Sequence, residues 1–199
     1  MFALRFAPLF LFAASFVSGA AVEQRAPAGI VADADKPIWV TEKRSSTADV
    51  EAVLNTLKSS ADSILPQIDA LVSGGTASDA TVTPLINELT TALDTASASL
   101  GGLSPVSSRK RQSDDDIANL VAGILTDVTN TLDGLLGEAA SIPALGGLLV
   151  GIDTSLNQVL VGLETLLAGV LRLVANLLVD VANLLRSLAL GLTLASLGL

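Results

Sequence analysis

Residues 152–199 read IDTSLNQVLVGLETLLAGVLRLVANLLVDVANLLRSLALGLTLASLGL, and the period of this stretch decides the fold. At about 100° per residue, with Arg172 at zero, Asn157, Gln158, Glu164, Thr165, Asn176, Asp180, Asn183, Arg186 and Ser187 all fall within roughly 80° of it. The other side carries Leu156, Leu160, Leu163, Leu167, Leu171, Val174, Leu178, Val181, Leu185 and Leu188. This pattern predicts one long helix, or two with a break near Gly169. Its apolar face is wider than the stripe of an ordinary surface helix. Such a face has to be covered by other helices, by other chains or by a nonaqueous phase.

A short repeat lies inside the stretch. Val174-Ala175-Asn176-Leu177-Leu178 recurs as Val181-Ala182-Asn183-Leu184-Leu185, seven residues on. Ser155, Gly162, Gly169, Asn176 and Asn183 keep the same step. That period favours near-parallel helix packing with a left-handed supercoil. Asn176 and Asn183 are expected to face solvent.

Composition points the same way. Half of the 199 residues are hydrophobic but only 3% are aromatic, so Leu, Ala and Val supply the apolar mass. That balance favours helix over sheet. The chain has no Cys, His or Tyr. Disulfides and His/Cys metal sites are therefore excluded, no cofactor is expected, and the commonest general base is missing. The serines lack a histidine partner, the carboxylates are scattered, and there is little aromatic surface to stack a sugar. These features predict a protein that is not an enzyme. A net charge of −9, with bases sparse in the body of the chain, argues against nucleic acid or an anionic membrane held through charge.

From the N-terminus, residues 1–20 read as a secretory signal: Arg5 supplies the positive region, LFLFAASFV the apolar core, and Ser18-Gly19-Ala20 the small residues for a cut near Ala20. A secreted, extracellular or cell-wall location is expected. Residues 21–44 have no helical period and contain Pro27, Gly29 and Pro37, so a flexible, disordered pro-segment is expected. It ends at Lys43-Arg44, a dibasic pair suited to a kexin-type processing protease. No stable transmembrane span is expected. Such a helix needs about 20 mostly apolar residues. Asp153, Glu164, Arg172, Asp180 and Arg186 interrupt the later stretches.

Residues 45–102 predict a helical hairpin. Ser46-Thr47 opens the first helix, and Val50, Val53, Leu54, Leu57, Ala61, Ile64, Leu65 and Ile68 follow its period. Pro66 is expected to kink or split it, and Gly74-Gly75 to stop it. The second helix starts near Ser78 or at Thr83-Pro84, and Gly101-Gly102 ends it. Residues 103–113 read as a basic linker in which Arg109-Lys110-Arg111 marks a second processing site. Residues 114–199 form the hydrophobic helical region. Asp114-Asp115-Asp116 directly precedes the apolar stripe Ile117, Leu120, Val121, Ile124, Leu125 and Val128, which marks the acids as helix caps rather than a cation site. Residues 146–151 (GGLLVG) lack the Gly-Lys-Ser/Thr of a phosphate loop and read as a flexible connector.

The signal, the dibasic site, the hairpin and above all the close, LLVDVANLLRSLALGLTLASLGL at residues 177–199, resemble the small secreted proteins of mushroom-forming fungi. Those accumulate in cell wall and medium and are linked to aerial hyphae alongside hydrophobins. The hairpin is also similar in style to fungal hydrophobic-surface-binding proteins. With no cysteine, the chain is not itself a hydrophobin. The resemblance implies an all-α protein, a hairpin plus Leu/Ala-rich amphipathic helices forming a bundle. Its implied role is to coat hydrophobic interfaces or assemble in the wall matrix. The implied partners are hydrophobic surfaces, cell-wall components or further copies of itself as a homo-oligomer. The alternative is a proprotein cut at its dibasic sites into secreted signalling or effector fragments.

Overall fold

The computed structural model describes residues 45–106 and 111–199, and among them every regular element is helical. Helix α1 spans Thr47–Ser73, α2 Asp79–Gly101, α3 Arg111–Leu136, α4 Leu145–Leu166, α5 Val170–Leu177, α6 Ala182–Ser187 and α7 Gly191–Leu197. A single 3-10 turn, Ala139–Ser141, lies between α3 and α4.

The hairpin starts and stops where local chemistry dictates. The Ser46 backbone N–H donates to the Asp49 carboxylate at 2.8 Å, and the Asp49 N–H donates back to Ser46 Oγ at 3.3 Å. This reciprocal cap satisfies two of the open donors at the start of α1. Gly74 closes α1, and Gly75 takes φ 61°, a left-handed conformation that glycine adopts without strain. Helix α2 starts after Ser78, whose N–H donates to Thr81 Oγ1 at 3.0 Å. The Thr83-Pro84 start is thus replaced by the earlier one, and Pro84 lies inside the helix.

Of the kink or split expected at Pro66, the split is absent: α1 runs unbroken from Thr47 to Ser73. Pro66 is exposed, and so is Asp62, whose carbonyl loses the helical donor. Water can serve that carbonyl. Ile64, Leu65 and Ile68 are buried on the opposite side and hold both halves to the core.

One contiguous core runs through the hairpin and the C-terminal region. Helix α1 packs on α2 and α3, and α2 packs on α4, so the long helices lie in the order α3–α1–α2–α4. Helices α3 and α4, at the two ends of that order, meet through side chains rather than through close backbone packing. Helices α5 and α6 pack on α3, α5 and α7 on α4, and α7 on both α5 and α6. The short helices therefore close the layer between α3 and α4. Between α1, α3 and α4, Leu54, Leu57, Val121, Leu125, Leu156 and Leu160 surround a cavity of about 10 Å³ with no polar group in its wall. That is at the lower limit for one water, which would find no partner there.

The C-terminal region departs furthest from expectation. The break at Gly169 is present, with φ 92°. Two more follow, at residues 178–181 and 188–190, the second through Ala189 at φ 57°. The long helix is thus cut into short ones, α5 and α6 packing on α3 and α5 and α7 on α4. In the other direction, α4 begins at Leu145, so residues 146–151 are helical and not a connector. Leu145, Leu149 and Ile152 are all buried on one face. Their burial outweighs the helix cost of the glycines, about 1 kcal/mol each. Helix α3 likewise starts at Arg111, so residues 111–113 of the expected linker are helical, with Asp114 in the first turn.

Candidate functional site

The candidate site is the leucine-rich face of residues 156–188. Leu156, Leu160 and Leu163 lie on α4, Leu167 in the turn that follows, Leu171 and Val174 on α5, Leu178 at its end, and Leu185 on α6 with Leu188 after it. All nine are buried, none more than 7% exposed. Val181, the tenth, is half-buried. The face is therefore turned into the bundle. Asn176 and Asn183 are exposed. The large apolar side chains left outside are scattered: Val150, Val161, Leu177, Val179 and Leu192.

Polar groups of α4 fasten the short helices over this face. Glu164 Oε1 accepts the Gly169 N–H at 2.8 Å, and its Oε2 accepts the Leu171 N–H at 3.4 Å. Asp153 Oδ2 accepts the Leu192 N–H at 2.9 Å, while Oδ1 accepts the Thr193 N–H at 2.9 Å and the Thr193 hydroxyl at 2.7 Å. Asp153 is 6% exposed, so its charge is held by these donors rather than by water. Asn157, one turn further along α4, is hydrogen-bonded to Ser196. On another side of α4, the Ser155 hydroxyl donates to Asp94 of α2 at 2.6 Å.

Sequence reading missed this polar seam. It registers Asp153 only as a charge that breaks an apolar run, and Asn157 only as part of the polar face. The available signal was the i, i+4 spacing of the two, which puts them on one side of α4. Nothing local marks Thr193 and Ser196 as their partners.

Elsewhere the side chains offer little chemistry. A groove of about 730 Å³ runs along α1 and α2, lined by Ala52, Thr56, Ser60, Thr91 and Thr95 among others. Most of its hydroxyls are committed to their own helices: Thr56 donates to Ala52 O at 2.9 Å, Thr91 to Asn87 O at 2.8 Å and Thr95 to Thr91 O at 2.7 Å. Lys58 bridges Asp62, at 3.1 Å, and Asp127 of α3, at 3.5 Å. The hydrogen bond to Asp62 raises the Lys58 ammonium above its ordinary value, and the Asp127 charge adds to this. Among the described residues no three acidic side chains are placed to hold a metal ion. Of the processing residues, Ala20, Lys43, Arg44, Arg109 and Lys110 lie outside the described residues, and Arg111 is the first residue of α3.

By length and composition alone, α4 is also long and apolar enough to cross a membrane, the one such helix among the described residues. Here it is a core helix packed on α2, α5 and α7, a role that passes the same test.

No family model matches the chain. A stretch of 59 residues is 56% identical to fruiting body differentiation protein 16 of Flammulina velutipes. The match takes in 30% of this chain and 46% of that protein, so the chain spans about half the length of this curated relative. Part of the chain is therefore homologous to a fungal fruiting-body protein.

Proposed function

We propose that this is a secreted, non-enzymatic protein of fungal fruiting-body development that coats hydrophobic interfaces. The observation that carries the reading is the make-up of the C-terminal region. Three helices of eight, six and seven residues, with the turns that join them, bury Leu171, Leu178, Leu185, Leu188, Leu190 and Leu197 in the core. Short amphipathic helices gain most of their stability from the surface they lie on. A helix face of roughly 1,000 Å² is worth on the order of 25 kcal/mol before ordering costs. An air, wax or lipid boundary offers the same burial as the bundle interior. The similarity to a fruiting-body protein supports the setting, and the signal-like residues 1–20 support secretion. Wall components and further copies of the chain are the other surfaces that suit such helices.

The test is the surface tension of the purified secreted protein, followed over time. A steep fall at low protein concentration is the expected result; a tension equal to that of buffer overturns the reading.

A second reading, a proprotein cut into signalling or effector fragments, draws on Lys43-Arg44 and Arg109-Lys110-Arg111. Separate fragments from the second site require α3 to leave α1 and α4 to leave α2, against a shared core. Mass spectrometry of the medium distinguishes the two readings, since discrete fragments free of the wall favour the precursor.

A further inference from the structure

We infer that residues 170–199 are a detachable cap, hinged at Gly169 and latched to α4 by Asp153, whose release converts the closed bundle into its interface-active form. This inference rests on the coating reading and supplies its mechanism.

The topology makes the cap separable. The layer α3–α1–α2–α4 is held by α1–α3, α1–α2 and α2–α4 packing, none of which involves α5, α6 or α7. The cap lies against both α3 and α4, whose backbones do not approach each other closely. Lifting it leaves the α1–α3, α1–α2 and α2–α4 packing intact and uncovers the sides of α3 and α4 on which α5, α6 and α7 lie. It also frees the cap's own buried side, Leu171, Val174, Leu178, Leu185, Leu188 and Leu190. Both surfaces then face outward, and a nonaqueous phase can take either.

The connection is built to turn. Gly169 has φ 92°, and a Cβ added there would meet nothing within 4 Å. The backbone at this point is thus neither wedged nor crowded, and a change of φ there swings the cap as a body. Glu164 holds the hinge in the closed setting through the Gly169 and Leu171 N–H groups.

The latch is polar, and that decides when the cap opens. The apolar burial that α3 and α4 provide is matched on any hydrophobic surface, so it cannot by itself hold the cap shut there. Hydrogen bonds are directional and are not replaced on oil. Asp153 receives three, from Leu192 and Thr193, and Asn157 adds one to Ser196. In solution these bonds favour the closed form. At an interface the apolar term changes side, and Asp153 returns to water when the cap leaves, offsetting part of the loss.

A reversible lock tests the cap. The chain has no cysteine, so the N157C/S196C variant of the full chain can form one disulfide, across the Asn157–Ser196 pair. Reduced, this variant lacks one bond of the latch and is expected to lower surface tension at least as fast as the unaltered protein does. Oxidised, it is expected to lose that fall and to regain it on reduction. An oxidised form as active as the reduced one overturns the cap while leaving the coating reading intact. Amide hydrogen exchange in solution decides the cap even where no form of the protein lowers surface tension, the result that ends the coating reading. Amides of residues 171–197 are expected to exchange as one group, faster than those of α1 and α2, and oxidation is expected to suppress the difference. Equal protection of the two regions, or exchange untouched by the lock, overturns the inference.

Discussion

Asp153 on α4 and Thr193 on α7 are 40 residues apart in sequence and are joined twice: Asp153 Oδ1 accepts both the Thr193 backbone N–H, at 2.9 Å, and its hydroxyl, at 2.7 Å. The second carboxylate oxygen takes the neighbouring Leu192 N–H. A helix of seven residues thus gains its N-terminal cap from a different helix.

Replacing Asp153 with Ala leaves the Leu192 and Thr193 donors without their acceptor. The expected loss is about 1–3 kcal/mol, read as a lower urea midpoint by circular dichroism. Asp153→Asn keeps one acceptor oxygen and should fall between the two. Unchanged midpoints in both variants contradict the structural role assigned to Asp153.

Leu178 and Val179 test which way the leucine-rich face points. They are sequence neighbours, with Leu178 at 0% and Val179 at 60% exposure. Leu178→Ala should cost about 2–5 kcal/mol through the cavity it leaves. Val179→Ser should stay within about 0.5 kcal/mol. Equal costs contradict the inward orientation.

Two glycines should respond with opposite signs. Gly169→Ala forces a side chain into φ 92° and is expected to destabilise by about 1–2 kcal/mol. Gly147 lies within α4, where an added Cβ meets nothing within 4 Å. Gly147→Ala should stabilise by about 0.5–1 kcal/mol. Thermal melts of the two variants check both signs.

Lys58 is a surface bridge and should contribute at most about 1 kcal/mol, measured as the stability lost in Lys58→Met. Its pKa is raised in the fold, so folding holds its proton more tightly than the unfolded chain does. The contribution is fully present below the ordinary lysine value of 10.5 and disappears as pH rises through the higher folded value. The difference between the two proteins should therefore shrink above that pH and stay constant across neutral pH.

The hairpin was legible because its boundaries are written in local chemistry: Ser46 with Asp49, Gly74-Gly75, Ser78 with Thr81, and Gly101-Gly102. The split expected at Pro66 is absent because its cost depends on which way the freed carbonyl faces, and that is set by the tertiary fold. The apolar residues from 156 to 188 were legible as a set, but not the breaks between them. Residues 178–181 read Leu-Val-Asp-Val, with no glycine or proline, so nothing local ends the helix there. The break is seen only in the fold, where α6 packs on α3 and α7 on α4. The helical run at 146–151 was hidden for the opposite reason, since its glycines speak locally for a loop and only the burial of Leu145, Leu149 and Ile152 overrules them. The pairing of Asp153 with Thr193 was out of reach, because neither residue carries a sign of the other.

The measurement that tests the central claim most directly is the surface tension of the purified protein over time, with its intact mass taken from the same sample. A steep fall at low concentration is predicted, carried by a species that contains residues 114–199. A compact monomer of that mass that leaves the tension of water unchanged would contradict the account.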